Sequence, residues 1–443
     1  MTAVRLSDHF TYKKLFKAVI SPILMMVFTS IYGIVDGLFI SNCVNDTAFS
    51  AVNLIMPVTM ALGAIGFMFG AGGSAIVSKT LGEGDTDKAR SIFTAIVIVN
   101  AVVALVVSVI ALIFIEPIVR LLGATPEMKA YAVNYGRILL IGEIAFMTQN
   151  LFQNFFIVAE RPHLGFLVTV FAGVTNMILD ALFVAVFKFG VEGAAWATIT
   201  SQVVGSIIPV FYFLQNKTSL LKFRKPDFKA QYIIKTITNG SSEFLSNVSA
   251  SIVSMVYNKQ LMDYKGQDGV TAYGIIMYAS FIFAAVFIGY SIGTAPIVGY
   301  NYGADNRDEL KNVLKKSVIV TLSTGVVMTL LSVALATPLT AIFVGYNAEL
   351  LAFSARAMRI FSICFIFMGL NMYISSFFTA LGNGLISAIV SAFRRLFCQL
   401  ITVFLLPLVI GVDGIWLSIV IAEVLSLTLG VIFLLTKRKK YGY

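Results

Sequence analysis

Five carboxylic acids lie inside stretches of the chain that are otherwise almost entirely apolar: Asp36, Glu143, Asp180, Glu243 and Glu423. An ionised carboxylate is unfavourable in hydrocarbon, so an acid in such a position faces a water-filled interior, pairs with a cation or holds a proton. Groups of this kind carry protons or bind cations. For Asp36, which precedes the polar sequence SNCVND by only four residues, the alternative is a solvated position at the outer interface.

Three polar residues of the first half are predicted to form one ion-coupling site. Asn176 precedes Asp180 by four residues, so both side chains share a face of one helix. Asp36 is expected at a similar depth. Two carboxyl groups in one occluded pocket can take up and release a proton near neutral pH. The predicted ion site therefore consists of Asp36, Asn176 and Asp180.

Two other apolar stretches carry polar side chains that are predicted to line a cavity for a substrate or cation. The amides of Gln149, Asn150 and Asn154 cannot all face lipid; the alternative for each is a contact that only holds helices together. Glu243 follows two serines in NGSSEFLSNVSA, a polar stripe that suggests a cavity wall. Its charge would attract a cationic substrate or ion.

Two arginines and a proline have structural interpretations. Arg394 and Arg395 precede the apolar sequence LFCQLITVFLLPLVI and are expected to extend to the cytoplasmic boundary, with pairing to an acid as the alternative. Pro22 removes a backbone donor 14 residues before Asp36. We predict a hinge at Pro22 that couples the charge of Asp36 to helix bending, against the simpler interpretation of a fixed kink.

No catalytic or metal chemistry is indicated. Cys43, Cys364 and Cys398 are far apart, and the two histidines, His9 and His163, are placed in polar segments. Neither a disulfide framework nor a metal site is therefore expected. The sequence contains no phosphate loop, catalytic triad or nucleotide motif, so we expect no enzyme, no cofactor and an ion gradient as the source of energy.

The composition places these groups in a membrane. Of the 443 residues, 58% are hydrophobic and 12% are charged, and the mean hydropathy is +0.90. Stretches of about 20 apolar residues cross a bilayer as helices. Twelve such stretches are predicted, near residues 15–40, 47–78, 88–115, 130–159, 164–187, 193–214, 232–262, 271–300, 308–336, 349–380, 385–410 and 413–435.

Basic residues alternate between the connections, which predicts the orientation. Lysines precede the first span at Lys13, Lys14 and Lys17, and the run 437–440 follows the last span, whereas the opposite set of connections holds few. The positive-inside rule therefore puts both termini in the cytoplasm of a multi-pass cell-membrane protein. The net charge of +10 follows from these segments, and no nucleic-acid partner is expected.

The chain is predicted to be a duplication. At an offset of 221 positions Gly72 falls on Gly293 and Gly82 on Gly303, so GAGGSAIVSKTLGEGDTDKAR mirrors SIGTAPIVGYNYGADNRDEL. We predict an N-lobe over 1–214, a cytoplasmic linker over 215–231 and a C-lobe over 232–443. Six spans per half give both copies the same orientation, related by an axis along the membrane normal, with a cavity between them.

The chain resembles the multidrug and toxic compound extrusion (MATE) family over nearly its whole length. The resemblance lies in IYGIVDGLFI, AVNLIMP, GGSAIVSKTLGEGDTDKA with its second copy, and NMILD, while GSSEF is similar to the MepA-like bacterial branch. It implies twelve helices in two six-helix lobes, and antiport of cationic drugs against H⁺ or Na⁺ by alternating access. It also implies that Asp36, Asn176 and Asp180 form the N-lobe coupling site and that Glu243 is a C-lobe acid.

One departure favours protons over sodium, because the tenth span, IFSICFIFMGLNMYISSFF, lacks the acid of some Na⁺-coupled members. The resulting hypothesis is a monomeric secondary active exporter of lipophilic cations, in contact with membrane lipids and able to confer antibiotic resistance. The alternative is a flippase for lipid-linked oligosaccharides or peptidoglycan precursors, which would need a basic cavity. The intramembrane charges are mainly acidic, which argues against a flippase.

Overall fold

The computed structural model describes residues 4–44, 46–216 and 219–443, and these ranges are helical without any strand. The first half of the chain forms six spans: α1 Tyr12–Cys43, α2 Asp46–Gly82, α3 Thr86–Leu121, α4 Pro126–Val158, α5 Pro162–Asp180 continued by a π-helical turn Ala181–Val186, and α6 Gly190–Gln215. Positions 217 and 218 of the predicted linker lie outside the described residues, and the lobe boundaries stay a prediction.

The second half repeats this plan. Its helices are α7 Ala230–Lys265, α8 Gln267–Gly303, α9 Arg307–Val344, α10 Ala348–Ser362, α11 Phe365–Ala380, α12 Gly384–Ala392 continued by a π-helical turn Phe393–Cys398, α13 Gln399–Leu405, α14 Pro407–Ile410 and α15 Val412–Tyr441. We call α1–α6 the N-lobe and α7–α15 the C-lobe.

Within the described ranges, nine helical segments are apolar and long enough to cross a bilayer, and α10 with α11 forms a tenth, bent by 45°. Helices α4 and α7 have 33 and 36 residues, also enough for a crossing. Their hydropathy is lower because they carry the amides, serines and acids discussed above. With these two, the spans number twelve, and the predicted all-α membrane protein is confirmed.

The bend in the tenth span lies between two helices that the sequence presents as one apolar run. Ile363 and Cys364 donate to carbonyls three residues earlier, which tightens the helix locally. The neighbouring α9 approaches closely here, because a Cβ at Gly325 would lie 2.5 Å from the Phe365 carbonyl oxygen. The break thus coincides with a backbone contact to α9.

The two lobes meet through glycines at the membrane side that carries both termini. A Cβ at Gly82 would lie 2.0 Å from the Tyr300 carbonyl oxygen, and one at Gly303 would lie 2.0 Å from that of Lys79. The same offset of 221 relates both members of the two contacts, so the pseudo-twofold axis passes between α2 and α8. The predicted pseudo-symmetry is confirmed by this reciprocal contact.

A second pair of glycines joins α2 to α7. A Cβ at Gly72 would lie 1.9 Å from the Thr236 carbonyl oxygen, and one at Gly240 would lie 1.9 Å from that of Met68. Towards the opposite side, Gly33 of α1 and Gly274 of α8 have no atom within 4 Å of such a Cβ. The lobes are therefore in backbone contact at the side of the termini, and these two glycines on the other side make no such contact.

The N-terminal strap, residues 4–11, links the lobes at the closed side. The Leu6 amide donates to Glu160 Oε1 at 2.7 Å, in the connection between α4 and α5. The Phe10 amide donates to Glu309 Oε1 of α9 at 2.9 Å, and Asn312 Nδ2 donates to the Phe10 carbonyl at 3.0 Å. Since α4 and α5 belong to the N-lobe and α9 to the C-lobe, the strap bridges both.

Burial makes the strap contacts strong. The side chains of Leu6 and Phe10 are buried in a core built mainly from α8, α9 and α11. Burial also raises the pKa of the Glu160 carboxyl. The Glu160 carboxyl therefore binds a proton more tightly in the native state than in the unfolded chain. Proton binding by Glu160 stabilises the fold at low pH, and this contribution to the unfolding free energy is lost as the pH rises through the native pKa.

Replacing Glu309 tests the strap. Glu309→Ala leaves the buried Phe10 amide without an acceptor, and we expect a loss of about 1–3 kcal/mol in unfolding free energy. Glu309→Gln keeps one carbonyl oxygen and should lose less. Unfolding in detergent measures both. Glu83→Ala removes only an exposed ion pair and should change stability by less than about 1 kcal/mol; an equal loss for Glu309→Ala would contradict the strap.

Replacing Gly72 tests the closed side. The added methyl of Gly72→Ala overlaps the Thr236 carbonyl, so α2 and α7 must move apart. Spin labels at Glu83 and Lys235, both exposed, should report a longer distance in the variant than in the wild type. Gly274→Ala adds a methyl in open space and should leave that distance unchanged. The same distance in all three proteins would show that the glycine contact does not set the lobe separation.

Candidate functional site

Two acids from separate helices meet inside the N-lobe. Asp36 lies in the last third of α1 and Asp180 is the last residue of α5 before the π-helical turn, and their side chains are 8% and 0% exposed. The carboxyl groups are within hydrogen-bonding reach of each other. Two carboxylates have no donor between them, so this bond forms only when one carries a proton. Asp36 is thus buried, not solvated at an interface.

Most oxygens of the acid pair and of its neighbour Asn176 have no hydrogen-bond partner in the part of the chain that the structure describes. Within the described chain, Asp36 Oδ1, both Asp180 carboxyl oxygens and Asn176 Oδ1 are buried without a hydrogen-bond partner. Buried acceptors of this kind are unfavourable unless a proton, a cation or water satisfies them. The predicted trio is therefore a set of oxygen ligands with unused capacity. Its assignment as the ion-coupling site stays a prediction.

Tyr135 is a site neighbour that sequence reasoning missed. It lies on α4, is fully buried and is within electrostatic range of both Asp36 and Asp180. Tyr32, one turn before Asp36 on α1, is also within range of that acid. Seventeen tyrosines occur in the chain, and nothing in the local sequence separates these two from the others.

The predicted cavity-lining amides of α4 lie against neighbouring helices of the N-lobe. Gln149 contacts α6, where a Cβ at Gly205 would meet its amide at 2.7 Å. Asn154 packs on Gly70 of α2 and donates to the Asn150 carbonyl at 3.1 Å. All three amides are buried, and Asn150 Nδ2 has no partner in the described chain. Whether they line a substrate path stays a prediction.

Pro22 lies where α1 passes from one lobe to the other. The first half of α1 packs on α8 of the C-lobe, and a Cβ at Gly293 would lie 3.2 Å from Pro22 Cγ. The second half of α1 reaches α5 of the N-lobe, where Asp36 meets Asp180. A bend at Pro22 would therefore change how α1 divides its contacts between the lobes. The hinge stays a prediction.

The C-lobe contains an ion pair that corrects one expectation. Arg394 Nη1 lies 3.2 Å from Glu423 Oε1 on α15, and the two side chains are 6% and 1% exposed. Asn371 Nδ2 of α11 donates to Glu423 Oε2 at 2.6 Å. The prediction that Arg394 extends to the cytoplasmic boundary is wrong. It turns inward because an acid 29 positions later offers a charged partner, which is favoured over an unpaired charge in lipid.

Glu243 stands apart from the acid pair of the N-lobe. It lies on α7, partly buried, within electrostatic range of Arg394 and Arg395. Glu143 is a further buried acid, whose Oε1 has no partner in the described chain and faces Gly63 of α2. Within those residues, no group of three or more His, Cys, Asp or Glu side chains could hold a metal ion.

Comparison with known proteins shows which family the chain belongs to. The family model MatE matches residues 22–182 and again residues 244–405. The chain belongs to the MatE family. The two matches cover most of both halves, in keeping with the duplication, and the resemblance to MATE transporters seen in the motifs is confirmed. A MatE protein of this kind is a multi-pass membrane transporter and not an enzyme.

Among curated proteins, the chain is similar to multidrug export protein MepA. It is 24% identical to that of Staphylococcus aureus (strain MRSA252) over 425 residues, 94% of this chain and 92% of the relative. It is 24% identical to that of Staphylococcus haemolyticus (strain JCSC1435) over 440 residues, 98% and 96% of the two chains. The transport and efflux character predicted from the sequence is thereby supported.

The fold is also that of solved MATE structures. One is described as the outward-facing conformation of a multidrug resistance MATE family transporter of the MOP superfamily. It superposes with a TM-score of 0.93 at 22% sequence identity, covering 100% of this chain and 99% of that one. The predicted MATE fold of twelve helices is therefore confirmed.

The buried ion pair of the C-lobe makes a measurable prediction. Arg394→Met leaves Glu423 charged and unpaired, and we expect a loss of about 3–5 kcal/mol in unfolding free energy. The double variant Arg394→Met with Glu423→Met removes both charges and should regain most of it. Arg356→Met breaks an exposed pair with Asp413, in which Arg356 is 69% exposed, and should lose at most about 1 kcal/mol. Equal losses in the two single variants would contradict the buried pair.

Proposed function

We propose that the chain is a secondary active multidrug exporter that moves cationic and amphipathic compounds out of the cell in exchange for protons. The observation that carries this proposal is the buried Asp36–Asp180 pair, in which three of the four carboxyl oxygens have no hydrogen-bond partner among the described residues. Such a pair is stable when protonated or cation-bound and unstable when empty and fully charged. The kinship to MepA supports small-molecule drugs as the cargo.

The exchange follows from this instability. When Asp36 and Asp180 share a proton, α1 and α5 are drawn together, and the N-lobe is most compact. Loss of that proton places two negative charges side by side, which favours an arrangement that admits water or a cationic substrate. Because α1 contacts both lobes, the change at Asp36 reaches the lobe interface through Pro22. The proton and the substrate then favour different conformations of α1, so binding of one opposes binding of the other.

Protons are favoured over sodium as the coupling ion. The carboxyl of Glu423 is already occupied by Arg394 and Asn371, and α11, the second helix of the tenth span, has Asn371 but no acid. The carboxylate of Glu423 is therefore not free to ligate a sodium ion in the C-lobe. The proposed exporter acts as a monomer among the lipids of the cell membrane, with both termini in the cytoplasm.

A flippase for lipid-linked oligosaccharides or peptidoglycan precursors is the second candidate. The observation that favours it is the pair of arginines inside the C-lobe, since a pyrophosphate needs basic groups. Against it, Arg394 is neutralised by Glu423, and five acids lie in the spans. Purified protein in vesicles that speeds the transfer of such a lipid between leaflets, without moving a fluorescent cation, would favour the flippase.

The exporter is tested with a fluorescent cation and everted vesicles. Asp36→Asn cannot release a proton from that side chain, so we expect uptake driven by a pH gradient to fall at least ten-fold. Asp180→Asn should behave alike, and the double variant should be no worse, since the two act as one unit. The exposed Asp263→Asn should match the wild type.

Two results would overturn this scheme. Wild-type uptake by Asp36→Asn would remove the acid pair from the mechanism. Uptake that survives collapse of the pH gradient and stops on collapse of a sodium gradient would replace protons by sodium.

A further inference from the structure

The second arginine of the π-helical turn forms no ion pair with the residues that the structure describes. Arg395 follows Arg394 in the turn Phe393–Cys398, which lies in the middle of the eleventh span and contacts both α7 and α15. Its Nε is buried without a hydrogen-bond partner, and no acid of the described chain lies within 4 Å of its guanidinium. Single π-helical turns of this kind are rare and are frequent at functional sites.

An acid faces this arginine without reaching it. Glu243 of α7 is within electrostatic range of Arg395, yet the two form no ion pair within 4 Å. Both side chains are partly exposed, and Asn247, one turn after Glu243, is exposed. Arg394 cannot complete the pair with Glu243, because its guanidinium is held by Glu423. Among the described residues, Arg395 and Glu243 thus lie near each other without an ion pair between them, and Arg395 is also within electrostatic range of Glu423.

Two opposite charges held apart inside a membrane protein require an explanation. If their purpose were mutual neutralisation, direct contact would be favoured, as it is for Arg394 and Glu423. A simple cation at Glu243 leaves Arg395 unpaired and is repelled by it. A pyrophosphate or other polyanion at Arg395 is likewise repelled by Glu243. A ligand that carries both charges satisfies both groups at once.

We propose that Arg395 and Glu243 form a binding site for zwitterionic small molecules, with the anionic group on the Arg395 guanidinium and the cationic group on the Glu243 carboxylate. The planar guanidinium binds a carboxylate through two parallel hydrogen bonds, which fixes the orientation of the ligand. Among the residues around Glu243, Ser246 and Asn247 can accept further polar groups. The site rests on the proposed export function and specifies part of its substrate range.

The experiment compares two probes that differ in one charge. A rhodamine with a free carboxylate is zwitterionic near neutral pH, and its ethyl ester is a cation with the same ring system. Binding of each to the purified full-length protein in detergent is measured by fluorescence anisotropy, without any ion gradient. Arg395→Gln should weaken binding of the zwitterion at least ten-fold, and it should leave binding of the ester unchanged or strengthen it, because the positive charge that repels the ester is removed.

Three further variants complete the test. Arg395→Lys keeps the charge without the paired donors and should weaken zwitterion binding less than Arg395→Gln. Glu243→Gln should weaken binding of both probes. Lys259→Gln on α7, which is exposed, should bind both as the wild type does. Thermal unfolding of each variant shows whether it is folded, and the Arg395→Lys comparison holds even where Arg395→Gln is unstable.

The outcomes separate this proposal from the export function. Equal loss of both probes in Arg395→Gln, or no loss of either, would overturn the zwitterion site. If the wild type prefers the zwitterion and Arg395→Gln removes that preference, the site stands even when gradient-driven transport fails. If transport of the ester proceeds in vesicles while Arg395 has no effect on either probe, export stands and the site does not.

Discussion

A charge inside a bilayer needs a counter-charge, a proton or water, and the interior of this protein is organised by that need. The N-lobe meets it with two acids that can share one proton, Asp36 and Asp180. The C-lobe meets it with an acid and a base in direct contact, Arg394 and Glu423. The first solution changes its charge when a proton leaves, whereas the second keeps its charge balance at all times. The duplicated fold therefore combines an N-lobe pair whose net charge changes with a C-lobe pair whose net charge stays constant.

The duplication is retained in the backbone and lost in the polar side chains. The reciprocal contacts of Gly82 and Gly303 keep the two copies in register around one axis. The fifth and eleventh spans correspond, and each contains a π-helical turn, Ala181–Val186 and Phe393–Cys398. In the fifth span an acid precedes the turn, while in the eleventh two arginines lie within it. The two corresponding spans thus carry opposite charges beside or within their π-helical turns, which lie at different positions of the repeat.

Much of the fold could be predicted from the sequence, because bilayer thickness and hydropathy determine where helices cross. The contact between Asp36 and Asp180 could be predicted as well, because an acid inside an apolar span requires a polar partner, a proton or a cation. The inward turn of Arg394 could not, because its partner is 29 residues away and the intervening π-helical turn has no sequence pattern that predicts it. The positions of Tyr135 beside the acid pair and of Glu309 beside the strap could not be predicted either, because both depend on how the helices pack.

The N-terminal strap has a consequence for how the protein is made. Phe10 precedes its acceptor, Glu309 in the ninth span, by 299 positions. The amide of Phe10 therefore lacks its native acceptor until the ninth span has been synthesised. The strap thus cannot make this contact during the synthesis of the N-lobe, and the bridge between the lobes closes only after the first nine spans exist.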